Sequence, residues 1–312
     1  MTRLPSFIAL YKIVFLKRMT MFNDPRKWLK IMLILFCLSS SNGVLASDAE
    51  KGLKLFEEER YAQALPYLEK SQTHAEVQAA LGDMYRKGLG VKQDYEKAFW
   101  FYQKSAEQSC PKGEHRLGTV YHKGWFVKQD DKEAFSWYLK AAEKGYKSSQ
   151  YNVGYFYDEG LGVKKDYVKA REWYEKAVKQ GHVPAMVNLA ILYYRGRGGP
   201  RNYYKSAELS RMAAERGNRR AQYNIARDYE KGTGVIQDRE KALYWYRKAA
   251  ENGSPLAMEQ LAEAYQFGRL GLPHDPDKAD YWYRKANETR KQTGEVDPRS
   301  LPLIEKIKLI WF

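Results

Sequence analysis

Apolar and small residues return along this chain with a period of 36 residues. An apolar residue followed directly by a small one occurs six times, at Leu81-Gly82, Leu117-Gly118, Val153-Gly154, Leu189-Ala190, Ile225-Ala226 and Leu261-Ala262. In every copy a tyrosine stands four residues after the apolar member, and a glycine stands three residues after that tyrosine. An apolar residue and a tyrosine one turn apart share a helix face, and glycine readily ends a helix. Each copy therefore predicts a first helix of about three turns, and Tyr157 is predicted to be one of its buried rings.

A second helix is predicted after each of these glycines. The loops read Gly-x-Gly-Val in three copies, at residues 88–91, 160–163 and 232–235, and an aspartate suited to capping a helix follows at Asp94, Asp130, Asp166 and Asp238. Ala134, Trp137, Tyr138, Ala141 and Ala142 then have the spacing of one amphipathic face. Further glycines end this helix at Gly145, Gly181, Gly217 and Gly253. Each repeat is thus a helix, a short loop, a second helix and another short loop.

The combined pattern A-x-x-x-L-G-x-x-Y-x-x-G-x-G-V-x-x-D-x-x-K-A-x-x-W-Y-x-K-A-A-x-x-G resembles the Sel-1-like repeat, a relative of the tetratricopeptide repeat. The resemblance implies an all-α fold, a right-handed superhelical solenoid of antiparallel helix pairs. Six repeats are assigned to residues 76–290. Residues 47–75 resemble a tetratricopeptide helix pair, and residues 291–312 are assigned as a capping segment. A membrane or partner contact remains the alternative for the apolar residues in 301–312.

The first 46 residues have the pattern of a secretory signal. Arg26, Lys27 and Lys30 precede the apolar run 31–38, and small residues lead to Ala46. Cleavage is predicted after Ala46, with an uncleaved anchor as the alternative. Residues 1–20 fit a misassigned start, since Met21 would begin a signal of ordinary length. The sequence thus predicts a bacterial exported protein, periplasmic or secreted, without stable membrane insertion after cleavage.

Charge and cysteine content narrow the range of partners. The chain has a formal net charge of +15, and residues 47–312 keep 46 basic and 37 acidic residues, a net charge of +9. These charges are interleaved, which favours a solvated surface with mild attraction to anions and gives no support for nucleic-acid binding. Cys110 alone would survive cleavage, so an intramolecular disulfide is excluded. A monomer or weak oligomer is expected.

Two loops depart from the repeat pattern, and such departures can mark functional sites. In repeat 4 the loop 195–202 loses its valine and gains arginines, while Leu209-Ser210 replaces Trp-Tyr in the second helix. A hinge, an anion-contacting loop and a degenerate repeat all remain open for this segment. In repeat 2, Trp125-Phe126 replaces Leu-Gly. These aromatic residues either anchor an interface or fold back to fill a gap.

The resemblance also suggests a binding surface. In tetratricopeptide-type arrays the first helix of each repeat lines the concave side, which here would expose positions two before, two after and five after the apolar residue. The predicted partner-binding residues are Tyr151, Tyr155, Val187, Ile191, Tyr194, Arg195, Tyr223 and Arg227. They form an aromatic and aliphatic strip beside arginines, a composition suited to a peptide with an acidic group. The alternative is that crowded neighbouring helices bury these residues in the core.

The sequence contains no recognisable catalytic or metal-binding motif. His115 and His122 share a helix face near Cys110, but their spacing is not that of usual metal ligands. We expect no cofactor, no metal and no catalytic residue. The favoured function is an exported non-enzymatic scaffold or adaptor for an unidentified protein or peptide. The alternative is a cell-wall associated enzyme or accessory protein that binds peptidoglycan or a β-lactam.

Export can be tested on the chain itself. We expect the envelope-fraction protein to begin at Ser47-Asp48-Ala49, because the small residues before Ser47 suit a signal peptidase. N-terminal sequencing measures this directly. A purified protein that retains residues before Ile31 would contradict the expected processing.

Overall fold

The computed structural model describes residues 47–294, which form fourteen helices and, within that range, no strand. The first helices are α1 (residues 47–57), α2 (Tyr61–Lys70), α3 (Ala75–Lys87) and α4 (Tyr95–Glu107). Next come α5 (Pro111–Lys123), α6 (Asp131–Glu143), α7 (Lys147–Glu159), α8 (Tyr167–Lys179), α9 (Val183–Arg195) and α10 (Tyr203–Glu215). The last are α11 (Arg219–Lys231), α12 (Arg239–Glu251), α13 (Pro255–Gln266) and α14 (Pro276–Thr293). The predicted all-α architecture of helix pairs is confirmed.

The chain divides into two compact units, the first ending at Ser105 and the second beginning at Ala106. In the first unit, α1 to α4 contribute to one core that includes Leu55, Leu68 and Leu81. In the second unit, each helix from α6 to α14 packs against the helix before it. The predicted signal segment 1–46 lies outside the described residues, as does the predicted capping segment beyond residue 294.

The helix ends follow the residues that the repeat pattern singled out. Asp130, Asp166 and Asp238 each accept a backbone N–H bond in the first turn of a second helix. The first helices α3, α5, α7, α9 and α11 end at glycines with φ between +67° and +76°. Only glycine takes this left-handed conformation without cost, so these positions set the helix length. Asn202 caps α10 in the same way as the aspartates.

The deeply buried rings belong to the second helices. Tyr102, Tyr138, Tyr174 and Tyr246 are at most 2% exposed, and each lies on the small residue of its repeat's first helix. A Cβ at Gly154, for example, would lie 2.7 Å from the Tyr174 ring. The prediction that Tyr157 is fully buried was wrong, because this first-helix ring lies between two core clusters and is only partly covered.

This difference predicts unequal stability losses within repeat 3. Tyr174→Ala should lower the free energy of unfolding by about 3–5 kcal/mol, because it opens a cavity in the core. Tyr157→Ala should cost roughly half as much, since part of that ring already contacts water. Chemical denaturation measures both values.

Lys164→Ala at an exposed position is the matched control and should change stability by less than about 0.5 kcal/mol. A larger loss for Tyr157→Ala than for Tyr174→Ala would contradict the assignment of the second-helix ring as the central core residue.

Candidate functional site: a tyrosine strip on the first helices

The predicted binding residues lie on three successive first helices of the second unit. Tyr151 and Tyr155 come from α7, Ile191 and Tyr194 from α9, and Tyr223 from α11. All five side chains are half-buried. Tyr151, Tyr155, Ile191 and Tyr223 pack against the core clusters, and Tyr194 contacts the ring of Tyr203. We call these five residues the tyrosine strip. The sequence left two interpretations open for these positions, a solvent-exposed binding surface or the core. The side chains fall between the two, because each is partly covered and partly exposed.

Val187 does not belong to the accessible surface. Its side chain is 6% exposed and lies within the core cluster of repeats 3 and 4. Its short side chain stays below the surface, whereas the larger tyrosines at equivalent positions of α7 and α11 reach out of the core. The prediction that Val187 contacts a partner is therefore corrected.

Tyr151 is enclosed by three neighbouring rings. Its ring lies 6.4 Å from the ring of Tyr155 in a stacked arrangement and 5.8 Å from that of Tyr174. The ring of His182 lies 4.9 Å away on the other side. Desolvation by burial raises the pKa of Tyr151, as it does for Tyr155 and Tyr223. These hydroxyls therefore remain neutral donors for a partner.

Polar side chains connect this surface to the core through Tyr174. Asn188 donates from Nδ2 to the Tyr174 hydroxyl oxygen over 3.1 Å, and that hydroxyl lies 3.4 Å from Oδ2 of Asp158. Burial, with a further contribution from Glu159, raises the pKa of Asp158 to about 6. The sequence pattern assigned Asp158 to the exposed face of α7 without a reason to select it, and it did not assign Asn188 to that face. Their role follows from the position of the buried ring.

Four arginines surround the strip. The Arg227 guanidinium lies 5.8 Å from the centre of the Tyr194 ring. Desolvation and then the nearby charge of Arg197 lower the pKa of Arg195. Arg220 is exposed, yet surrounding protein desolvates it enough to lower its pKa, and its charge acts on Tyr151 two repeats away. Clustered arginines beside aromatic rings favour an acidic group on a bound partner.

Arg220 was missed by the sequence reasoning. It stands five residues before the apolar residue of its repeat, a position that was not assigned to the exposed face. Five residues are about one and a half helical turns, so Arg220 lies on the opposite side of α11 from the apolar residue and on the same side as Tyr223. A search for basic residues at all three turns of the first helix would have found it.

The other sequence candidates have structural partners. Nδ1 of His115 lies 2.9 Å from Oγ of Ser149, and Nδ1 of His122 lies 2.7 Å from Oδ1 of Asp131. Cys110 is a buried free thiol directly before α5. Within residues 47–294, no cluster of three or more histidine, cysteine and acidic side chains is arranged to hold a metal ion.

The two unusual loops differ in their surroundings. Phe126 is 54% exposed and takes φ +67°, the conformation that glycine supplies at this point in other repeats, while Trp125 is half-buried. The repeat 4 loop contacts Arg171, a buried residue of repeat 3, whose Nη2 donates to the Leu192 carbonyl oxygen over 3.0 Å. The same Nη2 lies 3.4 Å from the carbonyl oxygen of Gly199. Arg171 thereby ties the arginine-rich loop to the preceding repeat.

A buried carboxylate marks the junction of repeats 4 and 5. Asp228 is 5% exposed, and its side chain forms no hydrogen bond to any described group. The equivalent positions hold Met84, Val120, Phe156, Leu192 and Ala264. Burial raises the pKa of Asp228 to about 7, against the opposing charges of Arg227 and Lys231. An acid has replaced an apolar core residue here.

This helical array, with equivalent faces of successive first helices aligned on one surface, defines a repeat protein of the solenoid class. The profile of the Sel1 repeat matches residues 75–110, 111–146, 147–182, 183–218, 219–254 and 255–288. The chain belongs to the Sel1 repeat family, as its sequence pattern predicted. Proteins of this family generally act as protein-interaction scaffolds, and the fold is typically non-catalytic.

Two solved structures are similar over most of the chain. A Sel1 repeat protein from Oxalobacter formigenes is 34% identical with a TM-score of 0.70, and the match covers 77% of this chain and 96% of that one. A protective antigen with an SLR fold from uropathogenic Escherichia coli is 32% identical with a TM-score of 0.62. That match covers 82% of this chain and 64% of the antigen. No curated protein sequence is significantly similar.

Helices long and apolar enough to cross a membrane are absent from residues 47–294.

The buried acid at position 228 predicts a dependence of stability on pH. Because its pKa is raised in the folded state, the folded chain binds the proton more tightly than the unfolded chain. The resulting stabilisation is complete at low pH and is lost as the pH rises through about 7. Between pH 5 and pH 8 we expect Asp228 to remove about 3 kcal/mol from the free energy of unfolding.

Denaturation at the two pH values measures this contribution. Asp228→Asn should abolish the part of the decrease in the free energy of unfolding that comes from this carboxylate. Asp277→Asn, at an exposed position of α14, should retain that decrease. Equal pH dependence in native chain and Asp228→Asn would contradict a buried, protonated side chain.

Proposed function

We propose that this protein is an exported, non-enzymatic scaffold that binds a protein segment along the tyrosine strip. The observation that carries the proposal is the run of half-buried tyrosines on α7, α9 and α11, of which Tyr151, Tyr155 and Tyr223 pack against the core. Tyrosines held in this way contribute contact area at little cost in conformational entropy. The general role as a protein-interaction scaffold is that of the family, and the proposal adds the tyrosine strip as the binding surface.

The chemistry of the strip favours a segment that combines apolar and acidic residues. Ile191 and the tyrosine faces suit aliphatic or aromatic side chains, while Arg195, Arg220 and Arg227 suit a carboxylate. Repeat 4 carries six lysines and arginines against two glutamates, whereas repeat 6 carries four against six acidic residues. An acidic partner is therefore attracted most strongly to the middle of the strip.

Export is the second part of the proposal. The basic and apolar pattern of residues 26–46 supports it, and we place the mature protein in the periplasm or outside the cell. The proposal assigns binding rather than catalysis to this chain, in keeping with the general role of Sel1 repeat proteins as protein-interaction scaffolds.

A matched pair of double variants tests the strip. Peptides selected from a random displayed library should be rich in Asp or Glu beside apolar residues, because both kinds of contact are offered. Tyr155→Ala with Tyr194→Ala should weaken the selected peptides by about thirtyfold, as expected for the loss of two interface anchors.

The control replaces Tyr244 and Tyr281, two exposed tyrosines on second helices, with Ala. Peptide affinity should then stay within about twofold. Melting curves of both double variants establish that the helices remain folded. Equal affinities for the two variants would place the binding surface elsewhere.

A further inference from the structure

One edge of repeats 3 to 5 is strongly basic. It consists of the three loops, each with the start of the second helix that follows, at residues 160–169, 196–205 and 232–241. These thirty residues contain eight lysines and arginines and three acidic residues. Two of the three acids, Asp166 and Asp238, are occupied as helix caps. The equivalent segment of repeat 2, residues 124–133, holds two lysines and three acids. We call residues 160–169, 196–205 and 232–241 the basic edge.

Close backbone contacts join the three segments into one surface. A Cβ added at Gly198 would lie 2.2 Å from the carbonyl oxygen of Tyr167, so the repeat 4 loop rests on the start of α8. A Cβ at Gly234 would lie 2.1 Å from the carbonyl oxygen of Tyr203, so the repeat 5 loop rests on the start of α10. Side chains from adjacent repeats are thereby brought side by side.

Each repeat of the basic edge also exposes an apolar or aromatic side chain. Val168 is 54% exposed, Tyr204 is 70% exposed and Ile236 is 91% exposed. Val168 and Tyr204 occupy the position that holds Lys132 in repeat 2. Ile236 occupies the position that holds Lys128 in repeat 2 and Lys164 in repeat 3. An isoleucine this exposed is costly in water, and nothing in the repeat pattern requires it.

Two arginines of the basic edge contact other tyrosines of the same segments. Nη1 of Arg201 donates to the hydroxyl oxygen of Tyr203 over 3.0 Å. The guanidinium of Arg197 lies 5.1 Å from the centre of the Tyr167 ring. Long cationic side chains beside tyrosine and separate apolar tips are typical of protein surfaces at a lipid headgroup layer.

We propose that the basic edge docks reversibly on an anionic lipid bilayer, with Ile236 and Tyr204 inserted between headgroups and the arginines on lipid phosphates. Lipid is favoured over a protein partner because the apolar residues are single tips separated by cations, whereas protein interfaces concentrate theirs in a core. A second copy of the same edge is disfavoured by repulsion between like charges.

This surface is distinct from the tyrosine strip but adjoins it. The rings of Tyr194 in the strip and Tyr203 at the edge are 5.2 Å apart in an edge-to-face contact. A bilayer at the basic edge would leave the strip open beside the headgroups. The strip could then hold a segment of a membrane-bound protein, although docking on lipid does not require any partner in the strip.

A fluorescent label at the tip tests the proposal at one residue. In the full chain with Cys37 and Cys110 replaced by Ala, Ile236→Cys carries an environment-sensitive dye. Glu215→Cys, at the opposite end of α10, carries the same dye as the control. Vesicles of phosphatidylcholine with about one third phosphatidylglycerol should shift the emission of the label at 236 to the blue, and pure phosphatidylcholine should not.

Charge variants supply the second measurement. Arg201→Gln with Lys205→Gln should weaken the vesicle partitioning reported by the label at 236 by about tenfold or more, and salt near about 1 M should release the label. Tyr155→Ala alone, which leaves the contact between Tyr194 and Tyr203 in place, should leave partitioning unchanged, and this separates the result from any failure of the strip.

Three outcomes would overturn the proposal. They are no shift at 236 with anionic vesicles, equal shifts at 236 and 215, and a shift at 236 that appears only with an acidic protein. Equal shifts would show that residues 1–46, rather than the basic edge, bring the chain to lipid.

Discussion

In repeats 1 to 3 a buried tyrosine ring of the second helix packs directly against a glycine of the first. At Gly82, Gly118 and Gly154 an added Cβ would approach the ring to between 2.5 and 2.8 Å, so the ring fills all of the space that glycine leaves. This contact fixes the distance between the two helices, and the neighbouring repeat then packs against the pair. In a solenoid, whose stability is a sum of such local units and their interfaces, one contact repeated along the chain sets the geometry of the array.

The hydroxyl groups of these buried rings form hydrogen bonds to side chains nearer the surface. The hydroxyl of Tyr138 donates to Oγ1 of Thr119 over 3.1 Å, and that of Tyr246 donates to Oε2 of Glu230 over 2.7 Å. Each acceptor stands on the exposed side of a first helix. Tyr174 plays this part beneath the tyrosine strip, where its hydroxyl meets Asn188 and Asp158. On the proposed function, a partner on the strip would contact side chains whose orientation is set by buried rings, which would limit the entropy lost on binding.

Features that recur with the 36-residue period could be predicted from the sequence. The glycines that end the helices, the caps at Asp130 and Asp166 and the number of repeats follow from local rules that hold in every copy. Features that depend on how deeply a side chain is buried could not be predicted from the sequence. Val187 and Tyr151 occupy equivalent positions, yet only the longer side chain reaches the surface. The buried Asp228 breaks the periodic pattern, and the desolvation of its carboxylate follows only from the packed structure.

Repeat 4 lacks the ring that organises the other repeats, because Ser210 stands where Tyr174 and Tyr246 stand in its neighbours. Its two helices meet through apolar contacts that include Leu189 and Leu209. Such contacts are non-directional, whereas a tyrosine hydroxyl bond holds one helix at a fixed height along the other. The helices of repeat 4 are therefore held together by such packing and, at the loop that joins them, by the bond from the Asn202 backbone N–H to the Tyr193 carbonyl oxygen over 2.9 Å. Of the three first helices that carry the strip, α9 is thus the one whose height along its partner helix is not fixed by a buried tyrosine hydroxyl.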